Sequence, residues 1–344
     1  MSNVHTLLNL SPGLKRAVFG ARKWYDLKSG RGERRRQARI ALTTSCCDCE
    51  DIPKVPDAGE IVEEAGLPVQ VMHNGIKVLA GGYNAEWMAR IIHALKGHCK
   101  PQEEKVFHEV LKHVRDDATM VELGASWAYH SLWFRKDHPN RRNFLVEPIA
   151  EKAEEGRQNF ALNGCEADLT VGYVGAPRFA TGPFLDWDGH TVDVPCIVLD
   201  EFVRAKGIDF IDVLHADIQG AELEMLEGAR ELFLWNRIGY VFLSTHFDRH
   251  QPCRRFLLDA GYTLIAEHTV EEGYAADGLI VAQGPAVRQV PRVDISCRIA
   301  GDAARAAFGG LAADIEGSMP ETGDANDAPV SASASEKNKA AVSS

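Results

Sequence analysis

Between residues 101 and 284 the chain repeats one pattern, and that pattern leaves few folds open. Short apolar runs alternate with longer segments whose apolar residues recur every three or four positions. "ATMVELGA", "NFLVEP", "ADLTVGYVG", "DFIDVLHAD" and "IGYVFLSTH" have the length and composition of buried strands. After Pro101, Phe107, Val110, Leu111 and Val114 share one helical face. "IAEKAEEGRQNFALNG" sets Ile149, Ala153, Gly156 and Phe160 along one side and stops at Asn163–Gly164. Leu223, Leu226, Ala229 and Phe233 line a third such face. Strands separated by helices in this way predict an open α/β sheet, largely parallel and covered on both faces. "YTLIAEHT" and "GLIVAQG" follow with no convincing helix between them, so the sheet should end with an antiparallel edge strand.

The flanks differ in composition. Residues 1–60 are irregular, first basic and then rich in Cys, Asp and Pro. Residues 61–100 read as a small covering segment, with a hairpin at Asn74–Gly75 and one or two helices. The main domain spans 101–290, and from 300 to 344 a tail ends in "DAPVSASASEKNKAAVSS". So little apolar surface cannot offset chain entropy, and the tail is expected to be disordered. No run approaches the roughly 18 apolar residues of a membrane span. The first twenty residues lack a signal-peptide core, so a cytoplasmic location is expected.

A formal net charge of -11 argues against nucleic acid as the main partner. The basic run from Lys15 to Arg39 reads as a solvated arm. Of eight cysteines, only Cys46, Cys47 and Cys49 in "SCCDCE" cluster, and they fall short of a four-ligand zinc set. Reduced, structural thiols are expected.

Ligands of open α/β sheets bind at the carboxyl ends of the strands. Those ends carry Glu122 and Gly124, then Glu147, then Asp217, Gln219 and Gly220, then Ser244, Thr245 and His246. In "ELGAS", Gly124 allows a ligand to approach the backbone, but neither GxGxxG nor a P-loop is present. Glu147 lies 23 positions after Gly124, at the end of the second strand, where such folds place an acid that holds a ribose. A ribose site without a pyrophosphate cradle suggests S-adenosylmethionine rather than a nicotinamide dinucleotide.

"MVELGASWAYHSLWF", "FLVEP", "GRQNFALNG", "DFIDVLHADIQGAELEMLEGA" and "ADGLIVA" together resemble the FkbM family of S-adenosylmethionine-dependent methyltransferases, over about Gly75 to Gln283. The resemblance implies a Rossmann-like sheet of seven strands, a bound methyl donor and transfer to a hydroxyl oxygen. Glu122, Ser126 and Ala128 stand where the family usually has an aspartate and further glycines, and His215 stands where it usually has lysine.

The residues expected to bind the donor are Glu122, Gly124, Ala125, Ser126, Glu147 and Pro148. His246 is the expected base, because imidazole titrates near neutral pH, and Asp217, the second expected catalytic residue, faces the donor's amino acid end or the acceptor. Gln219 and Glu222 are expected to meet the acceptor, a small molecule or glycan. A divalent metal is not favoured, although His246, Asp248 and His250 would point one way in an extended segment. Trp127 and Tyr129 are candidates to face a sulfonium, and Tyr83, Trp87 and His98 to contact the acceptor. A homodimer is left open. The competing reading is a catalytically inactive scaffold that keeps the fold.

Overall fold

The structure is a computed structural model and describes residues 31–83, 85–176, 184–185 and 191–298. The first part of the basic arm and the Ala/Ser-rich tail lie outside the described residues. Within the segment expected to be irregular, Arg31–Thr44 forms a helix, α1. It has no proline or glycine after Arg31, Gly32 apart, and its Glu33 bonds Arg36 at 2.8 Å and Gln37 at 2.5 Å one turn on.

A small antiparallel sheet follows, formed by β1 (Ile61–Glu64), β2 (Leu67–Val71) and β3 (Lys77–Leu79). The β2–β3 turn contains the expected Asn74–Gly75 pair, with Gly75 at a φ of 82° that glycine adopts without strain. Then come α2 (Ala85–Ala94) and α3 (Pro101–Leu111). The main domain continues with β4 (Thr119–Leu123), α4 (Tyr129–Arg135), β5 (Arg142–Glu147), α5 (Ala150–Leu162) and β6 (Asp168–Val171). Two minor pairings intervene: β7 (Tyr173–Val174) with β10 (Cys196–Ile197), and β8 (Phe184–Leu185) with β9 (Thr191–Val192). Next are α6 (Leu199–Ala205), β11 (Ile211–Ala216), α7 (Glu222–Glu227), α8 (Arg230–Leu234), β12 (Ile238–Thr245), α9 (His250–Asp259), β13 (Thr263–His268) and β14 (Gly278–Gln283).

Seven strands make the main sheet, in the order β6, β5, β4, β11, β12, β14, β13. All pairings are parallel except those of β14, which runs against both β12 and β13. The expected antiparallel margin is therefore present, with the reversed strand one place in and β13 outermost. Alternate residues feed two apolar layers. Met120, Val213 and Phe242 pack with α3, α4 and the 61–100 segment, whereas Val121, Leu214 and Val241 pack with α6 to α9. Every residue of β11 and β12 is buried, as expected of central parallel strands. No described helix is long and apolar enough to cross a membrane.

Candidate active site at the carboxyl ends of the strands

The chain leaves β4 toward β5 on one side and later lays β11 on the other, so the switch point lies between β4 and β11. The loop from Gly124 to Ala128 begins there, and three of its residues have positive φ: Gly124 at 73°, Ser126 at 46° and Ala128 at 63°. A Cβ on Gly124 would lie 2.0 Å from the Asp217 carbonyl oxygen. The glycine is thus required by the neighbouring strand's exit, a more immediate reason than the approach of a ligand.

Glu147 ends β5 directly beside this loop. Its Oε2 accepts from the Ser126 amide at 2.9 Å and its Oε1 from the Ile149 amide at 3.0 Å. Burial pushes its carboxyl above the usual range, against the pull of those two amides. Gly124 and Ala125 both donate to the Val146 carbonyl, at 2.9 and 3.1 Å, so loop and acid are held as one unit. Pro148 is half-buried next to it. Glu122 sits deeper, 3% exposed. It accepts from the Ser131 amide at 3.2 Å and faces His215 at 3.7 Å and His130 at 3.9 Å. Its carboxylate belongs to a buried histidine cluster rather than to the surface of the crevice, which corrects its expected place among donor contacts.

On the other side of the switch point the acids meet cations. Lys100 Nζ lies 2.8 Å from Asp217 Oδ2, 3.6 Å from Asp277 Oδ2, 3.4 Å from Glu103 Oε2 and 3.3 Å from Ser244 Oγ. His246 Nε2 lies 3.0 Å from Asp277 Oδ1 and 3.5 Å from Asp217 Oδ1, and its Nδ1 is 2.7 Å from Glu222 Oε1. Burial alone would lower the imidazole's affinity for a proton. The facing carboxylates of Asp277 and Glu222 outweigh it and push the pKa up to about 10. Asp277, for its part, is raised by burial but pulled down to about 2 by His246 and Lys100. Lys100 is held well above its ordinary value, as Asp217 and Glu103 outweigh its burial. Behind this layer His215 Nε2 pairs with Glu103 Oε1 at 2.7 Å.

The structure therefore brings Asp217, Gln219, Glu222 and His246 together, with Gln219 donating to Asp217 at 2.9 Å. Glu222, expected to meet the acceptor, is fully buried, accepts from the Gly220 amide at 2.8 Å and lies 2.7 Å from His246 Nδ1. The His246–Asp248–His250 alternation does not form a ligand face. Phe247 takes a left-handed φ of 55°, which turns Asp248 into solvent. His250 instead starts α9, its Nδ1 2.9 Å from Thr245 Oγ1. Trp127 stacks on Tyr83 at 4.5 Å, while Tyr129 is buried with its hydroxyl 2.9 Å from His73 Nδ1. His98 is fully buried, away from any acceptor surface.

Lys100, Glu103 and Asp277 were not anticipated as site residues. Topology supplies the signal for each. A helix that precedes a parallel strand runs against it, so the start of α3 reaches the carboxyl ends. The reversed strand β14 also begins there, with Gly278 opposite Thr245. The residue just before either start is a candidate.

Strand order defines an open α/β domain whose switch point lies between β4 and β11. Residues 112–264 match the family described as the methyltransferase FkbM domain. A curated relative from Jannaschia sp. (strain CCS1), named "Putative methyltransferase", is 27% identical over a stretch covering 41% of this chain and 61% of the relative. The chain thus spans about 61% of that protein's length. The chain is also similar to the solved structure of M. capricolum TrmK in complex with S-adenosyl-homocysteine, at 13% identity and a TM-score of 0.37, covering 54% of this chain and 70% of that one. A precorrin-6y C5,15-methyltransferase from Geobacter metallireducens GS-15 gives 17% identity and a TM-score of 0.35, covering 52% and 87%.

Proposed function

We propose that this protein uses S-adenosylmethionine to methylate a hydroxyl group of a small-molecule or glycan acceptor. The observation that carries this reading is one juxtaposition. At the same end of the sheet, Glu147 is fixed by main-chain amides beside the Gly124 loop, and Lys100, Asp217, His246 and Asp277 converge across the switch point. The match of residues 112–264 to a methyltransferase domain supports it.

When bound, the donor supplies a sulfonium methyl group for in-line displacement by the acceptor oxygen. The residues present fit such a molecule. Each oxygen of Glu147 accepts one amide and keeps acceptor capacity for a ribose hydroxyl. Across the switch point Asp217 and Asp277 are equally accessible, at 16% and 15%, and Asp217, which leaves β11 beside the switch point, is the acid assigned to receive the acceptor's proton. That proton becomes more acidic as the oxygen gains its new bond, so a carboxylate suffices as the base. Lys100 and His246 hold Asp217 and Asp277 in place. His246, raised to about 10, carries its proton at neutral pH, so the role of base moves from the imidazole to Asp217. Glu222 positions His246 from beneath.

Calorimetric titration of the full chain with S-adenosylmethionine should give saturable binding. Replacing Glu147 with Ala should weaken it at least tenfold, about 1.4 kcal/mol. Absence of binding to the unmodified chain would refute the reading. Unchanged affinity in the variant would remove only the ribose role.

A further inference from the structure

Away from the crevice, Cys49, His98 and Glu104 each offer a ligand atom, and these atoms all lie within 4.8 Å of one another. All three side chains are buried, at 3%, 0% and 0% exposure. They come from separate parts of the chain: the "SCCDCE" turn after α1, the loop after α2, and the first turns of α3. His98 Nδ1 contacts Glu104 Oε2, whereas His98 Nε2 is buried with no hydrogen-bond partner. A buried ring nitrogen with no partner is destabilising, which marks this imidazole as able to take a further ligand.

We infer that Cys49, His98 and Glu104 form a structural zinc site that ties the N-terminal segment to the start of α3. The chemistry favours this ion. Thiolate, imidazole and carboxylate are the usual zinc ligands, and their mixture excludes the all-oxygen preference of magnesium or calcium. One thiolate, one carboxylate and a neutral imidazole also balance a divalent ion, so no net charge is buried. The Cys49 proton passes to solvent as the zinc–sulfur bond forms.

Two neighbouring groups make weaker candidates. In the group of Asp217, His246 and Asp277, the two carboxylates already share the Lys100 ammonium, which stands between them. Glu103, His130 and His215 provide no thiol.

The geometry around the proposed site is tightly specified. Gly97 has a φ of 88°, and a Cβ there would lie 2.1 Å from the His73 amide nitrogen. This turn sets His98 against the His73 ring, with centroids 4.1 Å apart. Glu104 Oε1 accepts from the amides of Cys99 and Lys100, at 2.7 and 2.8 Å. A metal on Glu104 would therefore fix the backbone that delivers Lys100 to the crevice. The inference does not depend on the methyltransferase reading.

The test is metal analysis of the full chain after expression with zinc and exhaustive dialysis. About one zinc per chain is expected. Cys49→Ser and His98→Gln should each retain less than a tenth of that amount, while Asp277→Asn keeps it. Because either variant could lose zinc by misfolding, the unmodified chain is also loaded with cobalt, where a thiolate-to-metal charge-transfer band should appear. An unmodified chain that holds no zinc, full zinc in Cys49→Ser, zinc lost from Asp277→Asn alone, or no charge-transfer band would each overturn the assignment.

Discussion

The two halves of the crevice hold their acids by different means. On the β4–β5 side Glu147 is satisfied by two main-chain amides, with no ion pair to it among the described residues. On the β11–β12–β14 side Asp217 and Asp277 are satisfied by the ammonium of Lys100 and the ring of His246. Burial raises the carboxyl on the first side, while cations hold Asp277 down at about 2 on the second. The difference suits two tasks. An amide-held acid with spare acceptor capacity suits neutral hydroxyl donors. A cation-held group of acids suits the handling of a proton during reaction.

Removing the cation is the strongest way to break this contrast. Lys100→Met leaves Asp217 and Asp277 facing each other with only His246 between them. Breaking a buried pair in this way costs about 3–5 kcal/mol. Urea unfolding should register that loss, and methyl transfer should fall by roughly a hundredfold or more. A variant as stable and active as the unmodified chain would mean that the two acids need no ammonium.

Gly124→Ala tests the seam between the halves. The added methyl would meet the Asp217 carbonyl at 2.0 Å, and the residue would also need a φ of 73°. The expected cost is about 2–4 kcal/mol, from overpacking and backbone strain together. Donor affinity should fall with it, because the same loop carries the amide that holds Glu147.

His246→Gln probes the second half through pH. An imidazole raised from 6.5 to about 10 contributes stability that is complete below pH 6.5 and lost as pH climbs through about 10. Asp277, lowered from 3.8 to about 2, contributes stability that is present above 3.8 and lost as pH falls through about 2. The unmodified chain should therefore lose stability between pH 7 and 10 by an amount the variant does not, on the order of a few kcal/mol. Parallel pH dependence of the two unfolding midpoints would show that His246 is not the proton holder described.

Much of the sheet was legible because each strand and helix declares itself locally, by apolar runs or by helical spacing. Asp217, Glu147 and His246 were legible for the same reason, being the last polar residues of buried parallel runs. Lys100 and Asp277 were not, since they precede a helix and a reversed strand, and only the topology brings those starts to the carboxyl ends. The "SCCDCE" turn looked incomplete as a metal set because His98 and Glu104, which the fold brings beside Cys49, are about fifty residues away in the chain. The alternation of His246, Asp248 and His250 misled for the opposite reason: it presumed extended backbone, and Phe247 reverses the chain.

Glu147→Gln is the mildest substitution and the sharpest test of the first half. Burial of the carboxylate outweighs its two amides and the pull of Lys152, so its charge destabilises the fold at neutral pH, and protonation on acidification would relieve part of that cost. Glutamine removes the charge, keeps one carbonyl acceptor for one of the two amides and leaves the other facing an amide group. The gain and the loss are of similar size, so unfolding free energy at pH 7 should change by no more than about 1 kcal/mol. Donor affinity should nevertheless drop, because an acid that accepts hydrogen bonds through both oxygens is replaced by a group that accepts through one. A loss of stability as large as that of Lys100→Met would mean that Glu147 also depends on a positive charge, and the two halves of the crevice would then work alike.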